Sequence, residues 1–258
     1  MPTIIPNVTT DRRPSPGLWQ HCSQPDDPDN WVGFFEDFIS NDETAGTGPN
    51  LSLVIDHGGD IVHDPTQLGG VVRLATAGTT DDEATLVTGD NIGAFCEFTV
   101  GLKAFYEVRF AVDLLVYHSF FFGFAEEALG GAMFTTSDAL EDKDYVGWQI
   151  LTADGDVAEP CYNTASGTAV VVKADAVTLV AEEYLKLGIG FWDDRTTWFY
   201  NGVAIANCDV AHPVKYSTSG FPDGEPFAAY AAVAEPPSAA ADSGCDIDWI
   251  KVYAQVTA

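Results

Sequence analysis

From Trp31 onward the chain repeats one pattern: short runs in which apolar and polar residues alternate, with turn residues between them. A period of two marks a half-buried strand. LSLVIDHGGDIVHD (51–64) alternates about Gly58-Gly59, a two-residue hairpin signal, and GGVVRLAT and EATLVTG follow. In KAFYEVRFAVDLLVY (103–117), Phe105, Glu107, Arg109 and Ala111 share one face, and Tyr106, Val108, Phe110 and Val112 share the other. HSFFFGFAEE, DYVGWQIL and TAVVVKA come next. An acidic turn joins LKLGIGFWDD to RTTWFYNGVAIANC, where Asn201-Gly202 predicts a type I′ hairpin. FAAYAAVAE and CDIDWIKVYAQV close the chain. About a dozen strands at this spacing predict an all-β fold, a two-sheet antiparallel β-sandwich. Helix is nearly absent. Ser137–Lys143 has the length for one turn, and Ser238–Ala241 falls in a loop behind Pro236-Pro237.

Residues 1 to about 30 break the pattern. This stretch is rich in Pro and Asp and has neither period, so it reads as an extended N-terminal arm (1–30) ahead of one sandwich domain (31–258). It holds Arg12-Arg13, the chain's only adjacent basic pair, and two aromatic anchors, Trp19 and Trp31, bracket its Pro/Asp run. Such an arm lies on its own domain or on a partner. Arg and Trp are the residue types that most often carry interface energy, so Arg12, Arg13, Trp19 and Trp31 are the candidate partner-binding residues.

Composition narrows the function. The 258 residues carry 39 Asp+Glu against 11 Lys+Arg, a formal net charge of −28. A surface that negative repels phosphate backbones and anionic lipid, which argues against nucleic-acid and membrane partners. No apolar run is long enough to span a bilayer, and the start lacks the apolar core of a secretory signal. The five cysteines are scattered and odd in number, as expected of reduced thiols made in a cytoplasm.

Several of these motifs occur in a familiar order. FFEDF, FYEVRF, FGFAEE, the pair LKLGIGFWDD-RTTWFYNGVAI and the closing DIDWIKVY together resemble the concanavalin A-like lectin/glucanase jelly roll, which includes laminin-G-like modules and family 16 glycosidases. The resemblance covers roughly residues 31–256 and implies two antiparallel sheets packed face to face, one of them concave.

The glucanase branch of that family carries Glu-x-Asp-x-x-Glu on one strand. No such run exists here, and Arg109 stands two residues after Glu107, where a second carboxylate would share its face. An Arg there favours the ionised carboxylate, the wrong direction for a general acid. Asp246/Asp248 is the one strand-placed acid pair; the resemblance implies a structural Asp-Trp at that place in the closing strand. Asp56-His57…Asp60…His63-Asp64 reads as a polar hairpin tip, and Asp154/Asp156 and Asp193/Asp194 are carboxylate pairs without a calcium-loop pattern. No catalytic residue, metal or cofactor is therefore assigned. Stacked Trp and Tyr grip the flat face of a sugar, which makes Trp192, Trp198 and Tyr200 candidate carbohydrate-binding residues, with Trp148 beside them. The competing reading places these rings in the core, as it does Phe120, Phe122 and Phe124.

The expectation drawn from this set is a non-enzymatic virion structural protein. It would decorate or cement the outer surface of a tailed-phage capsid, with the major capsid protein as partner and a homo-oligomer on the particle. Phage head proteins of this fold open with similar sequence to GLW…C…DDPDNWVGFFEDF, and synthesis in the host cytoplasm needs no signal peptide. The alternatives are a carbohydrate-binding, lectin-like module whose partners are surface glycans, and a degenerate family 16-type glycosidase.

Overall fold

The computed structural model describes residues 13–22, 31–38, 51–56, 60–63, 70–76, 82–88, 96–99, 101–113, 118–126, 132–135, 139–193, 195–211, 221–222, 226–235 and 244–255. They form sixteen strands, all paired antiparallel, in two sheets. The first sheet contains β1 (Trp31–Glu36), β3 (Asp60–His63), β4 (Val72–Ala75), β6 (Ala104–Val112), β12 (Leu185–Trp192), β13 (Arg195–Tyr200), β14 (Val203–Ala211) and β16 (Gly244–Gln255). Its order is β14-β13-β12-β6-β16-β4-β3, with β1 also on β16. The second contains β2 (Leu51–Asp56), β5 (Glu83–Thr88), β7 (Ser119–Glu126), β8 (Tyr145–Ile150), β9 (Val157–Asn163), β10 (Val170–Val171), β11 (Val177–Thr178) and β15 (Phe227–Ala234). Its order is β10-β9-β8-β7-β15-β5-β2, with β11 also on β9. This is the expected two-sheet antiparallel sandwich.

Strand alternation decides what lies between the sheets. Tyr106, Val108, Phe110 and Val112 of β6 face Phe120, Phe122 and Phe124 of β7 in one continuous core, together with Trp148, Ile189, Trp198 and Ile250. Each large apolar side chain hidden this way contributes roughly 1.5–3 kcal/mol. Tyr106 meets its polar need by donating its hydroxyl to the Tyr230 carbonyl at 2.8 Å. The Asn201-Gly202 turn forms as expected: both residues have positive φ, 48° and 78°, which a type I′ turn demands. Asn201 also clasps the neighbouring strand, its Oδ1 accepting from the Lys186 N–H and its own N–H donating to the Lys186 carbonyl.

Several features differ from the sequence reading. LSLVIDHGGDIVHD is not a hairpin: β2 pairs with β5 in the second sheet and β3 with β4 in the first, so its two halves enter different sheets. VAEPCYN forms β9 although Pro160 interrupts its donor pattern. TAVVVKA supplies only the two-residue β10, and β11 follows it on β9. The described part of Ser137–Lys143 is not helical: it bends and bridges back, Leu140 to Phe134. Within the N-terminal stretch, Pro16–Trp19 is a one-turn helix, α1. Pro16 enters it with φ already set and no N–H to satisfy, and the Ser15 carbonyl accepts from both Leu18 and Trp19. Gly58-Gly59, His57, Asp64 and Ser238–Ala241 lie outside the described residues.

Candidate functional site

The outer face of the first sheet is a grid fixed by register. Phe199, Gly188, Glu107 and Lys251 form one row across β13, β12, β6 and β16, and Thr197, Gly190, Phe105 and Tyr253 form the next. The two glycines leave the floor between β13 and β6 without side chains, and Leu18 of α1 fills that space, fully buried. A Cβ on Gly188 would stand 2.8 Å from Leu18 Cδ2.

The surrounding groups hold residues 13–22 at several points. Glu107 Oε2 accepts from the Ser15 N–H at 2.9 Å and from Trp19 Nε1 at 2.6 Å. Lys186 Nζ donates to the Arg13 carbonyl at 2.8 Å, and Lys251 Nζ sits 3.9 Å above the Trp19 ring. Burial pushes the Glu107 carboxyl up from its ordinary range; the Ser15 and Trp19 donors and Lys186 pull against it. Burial likewise lowers Lys251, while Cys22 and Glu107 oppose that shift.

At the end of this face lies a cleft of about 540 Å³, lined by Trp192, Asp193, Arg195, Asn207 and Asp209 among others. Trp192 and Arg195 face each other across the hairpin, and Thr197 opposes Asp209. Arg195 Nη1 donates to Asp209 Oδ2 at 2.5 Å, with both side chains substantially exposed. Asp193 and Asn207 take positive φ, 49° and 58°, on the two sides of the cleft. Trp192 is half-buried: His21 stacks on it, with centroids 4.3 Å apart and planes at 13°, and Phe105 lies parallel at 6.1 Å. The site thus joins an aromatic wall to carboxylates, an amide and a guanidinium, the mixture of flat apolar surface and convergent polar groups that suits a polyhydroxylated ligand.

Of the carbohydrate-binding candidates, only Trp192 reaches this cleft. Trp198 has no exposed surface and donates its Nε1 to the Gly147 carbonyl at 2.9 Å; Trp148 is equally buried and donates to Gly188. Tyr200 packs against the same core. These positions match the core alternative, because odd and even positions of β12 and β13 face opposite ways and Trp198 falls on the inner side. Of the partner-binding candidates, Trp19 and Trp31 pack in the small cluster around Leu18, Phe105 and Phe199. Arg13 is exposed at the start of the docked segment, and Arg12 lies outside the described residues. His21, Asn207 and Asp209 were not singled out from sequence, although the Asp193-Asp194 turn already implies that Arg195 faces Trp192.

The strand-borne acid pair Asp246/Asp248 is committed to other contacts. Arg109 pairs with Asp248, both buried, and its guanidinium lies 4.2 Å from the Tyr184 ring centre. Arg73 pairs with Asp246 at 3.0 Å and with Asp113. Asp248 is the extra residue where the β16–β6 register shifts between Ile247 and Trp249, which explains how Asp246 and Asp248 reach different arginines. On β8, Tyr145, Gly147 and Gln149 take the positions that alternate with inward Val146, Trp148 and Ile150, and none is a carboxylate. Asp154 and Asp156 are exposed, and Asp194 is outside the described residues. Among the described residues no group of three or more His, Cys, Asp or Glu is placed to hold a metal ion. All five cysteines are free thiols; four are buried, and Cys22 is half-buried beside the docked helix.

No protein-family model and no curated protein sequence matches the chain. Solved structures do. A protein of unknown function from Shewanella oneidensis MR-1 is 14% identical, with 88% of this chain and 87% of that one covered and a TM-score of 0.57. Peanut lectin with a nine-residue peptide is 12% identical over 88% and 99%, with a TM-score of 0.56. The Crh5 transglycosylase is 16% identical over 88% and 85%, with a TM-score of 0.55. The fold is therefore a concanavalin A-like β-sandwich.

Proposed function

We propose that this chain is a non-catalytic carbohydrate-binding module of the lectin-like kind, gripping a neutral glycan at the Trp192 cleft. The observation that carries the reading is the cleft itself: one half-buried indole beside Asp193, Arg195, Asn207 and Asp209, on a fold shared with peanut lectin. Carboxylates accept from sugar hydroxyls, the guanidinium and amide donate to them, and the indole covers the C–H face. Two carboxylates in the cleft and a net charge of −28 disfavour sulfated and uronic-acid polymers. The fold is also shared with a transglycosylase. What supports binding without turnover is that Glu107 has no second carboxylate beside it on its strand face, where Arg109 stands instead, while Asp246 and Asp248 are paired with arginines. The test is a glycan array of neutral and anionic polymers followed by calorimetry. Neutral glycans should bind and Trp192→Ala should lose that binding. Binding that survives Trp192→Ala moves the site elsewhere, and release of reducing ends overturns the non-catalytic part.

A second reading, a structural protein on the outside of a tailed-phage capsid, is supported by the strongly acidic composition. Its docking element narrows to residues 1–12, because residues 13–22 already lie on this chain's own sheet. Removing residues 1–12 should then abolish capture by purified phage heads; full capture by the truncated chain counts against it.

A further inference from the structure

The segment 13–22 behaves toward the first sheet as a ligand does. Its contacts are those of a bound short peptide: Leu18 on a glycine floor, an indole N–H and a backbone N–H on one carboxylate, a carbonyl on an ammonium, and an imidazole stacked on an indole. The surface beneath has the same character as the cleft and is continuous with it through Trp192. It offers Phe105, Phe199 and Trp192 as aromatic surface, Glu107 as acceptor, and Lys186 and Lys251 as donors. Glu107 is fully buried, and among the described residues its Oε1 has no hydrogen-bond partner. A buried carboxylate oxygen left without a donor costs free energy. Beyond the two donors on Oε2, the docked segment brings only the Ser15 hydroxyl near Glu107, itself buried without a hydrogen-bond partner among the described residues.

We propose that the trough beneath residues 13–22 is a second saccharide subsite, continuous with the Trp192 cleft, and that these residues are a self-ligand which an oligosaccharide displaces. The inference rests on the sugar-binding reading given above and adds the extent of the site and its regulation. The trough crosses three strand spacings from β13 to β16, about 14 Å, the span of a short oligosaccharide rather than of one ring. His21 occupies the Trp192 face that a sugar would cover. Sugar hydroxyls replace the Ser15 and Trp19 donors on Glu107 and reach Oε1 as well. Because the competent surface is exposed only when the segment leaves, apparent affinity is reduced by the fraction of molecules that are open.

The experiment uses the full chain, a Leu18→Ser variant that loosens the segment without altering the sheet, and Trp192→Ala. The probes are maltohexaose, cellohexaose and chitohexaose with the matching disaccharides, measured by calorimetry. Amide exchange of residues 13–22 is followed with and without saturating sugar. A hexasaccharide should bind Leu18→Ser about tenfold or more tightly than wild type, and disaccharide affinities should differ far less. In wild type the bound hexasaccharide should speed exchange at Leu18, Trp19 and Gln20, whose amides bond to Ser15 and Pro16 carbonyls. Trp192-dependent binding with equal hexasaccharide affinities, or slowed exchange at those amides, overturns the subsite while leaving the cleft reading intact. Absence of binding by all three proteins overturns both. Wild-type exchange needs no variant, so misfolding of Leu18→Ser does not blunt the test.

Discussion

Trp148 and Trp198 clasp the two sheets reciprocally. Trp148, on β8 of the second sheet, donates its indole N–H to the Gly188 carbonyl of the first at 3.1 Å. Trp198, on β13 of the first, returns the bond to the carbonyl of Gly147, next to Trp148, at 2.9 Å. Both indoles are fully buried. A buried indole must find an acceptor, and a strand carbonyl has a second lone pair to give beyond its ladder bond. Trp198→Phe keeps a ring but forfeits the bond and leaves a void, and should cost about 1–3 kcal/mol. Urea unfolding should show a lower midpoint with an unchanged slope. An unchanged midpoint would mean that the clasp contributes nothing net.

The same pair shows what was legible in the sequence. Alternation puts Trp198 and Tyr200 on one side of β13, and Trp192 on the side of β12 that it shares with Lys186, Gly188 and Gly190. Which side meets the partner sheet is not written in the pattern, because both faces of these strands carry aromatics: Trp198 inward, and Phe199, Phe105 and Trp192 outward under α1. For the same reason FYEVRF reads as an amphipathic strand, yet both of its faces are buried. The docked helix was invisible since four residues have no periodicity; Ser15-Pro16 is its only local signal. Pro160 hid β9. The Asn201-Gly202 turn was legible because it encodes its own dihedral angles, whereas Gly58-Gly59 misled, because the strands before and after it enter different sheets and glycine alone does not specify which partner a strand takes.

His118 should make stability fall in mild acid. Its ring is buried, 3.0 Å from the Thr76 hydroxyl. Burial, with Arg73 nearby, lowers its pKa from 6.5 to about 4, against the pull of Asp113. A lowered histidine stays neutral in the fold while the unfolded chain takes up a proton. Its contribution is therefore complete above pH 6.5 and is lost as pH falls toward 4, up to about 3 kcal/mol. His118→Gln should flatten that limb of a plot of melting temperature against pH. An equally steep limb in the variant would remove His118 as its source.

Glu83 works in the opposite direction. Its carboxylate, buried on β5, accepts from the Met133 and Phe134 amides at 2.7 and 3.1 Å and from Thr85. Burial nevertheless raises its pKa above 4.5, with the donors and Lys143 opposing. A raised carboxyl holds its proton in the fold after the unfolded chain has released its own. Stability from this group is full below 4.5 and declines as pH climbs through the folded value. Glu83→Gln should remove that decline. It should also speed amide exchange at Met133 and Phe134, since one amide oxygen replaces two carboxylate oxygens. Exchange that stays slow would show that other contacts fix residues 132–135.

Gly188→Ala separates the sandwich from the segment that lies on it. Gly188 has ordinary strand dihedrals, so alanine is sterically acceptable to the backbone, and replacing glycine inside a strand is favourable by roughly 0.5–1 kcal/mol. The new Cβ would sit 3.4 Å from Phe199 Cβ and 3.5 Å from the Tyr106 carbonyl, ordinary contacts, but 2.8 Å from Leu18 Cδ2. Only Leu18 has to move, and Leu18 belongs to α1. The sheet should therefore keep or slightly raise its melting temperature while residues 13–22 loosen. Looser docking should appear as faster chymotryptic cleavage after Leu18 or Trp19 and faster exchange of the Gln20 amide. Leu18→Ala in the Gly188→Ala background relieves the crowding, so the two substitutions should couple strongly in a double-mutant cycle read by exchange. A global loss of stability with undiminished protection of residues 13–22 would refute the geometry, because the crowding would then fall on the sheet and not on the helix.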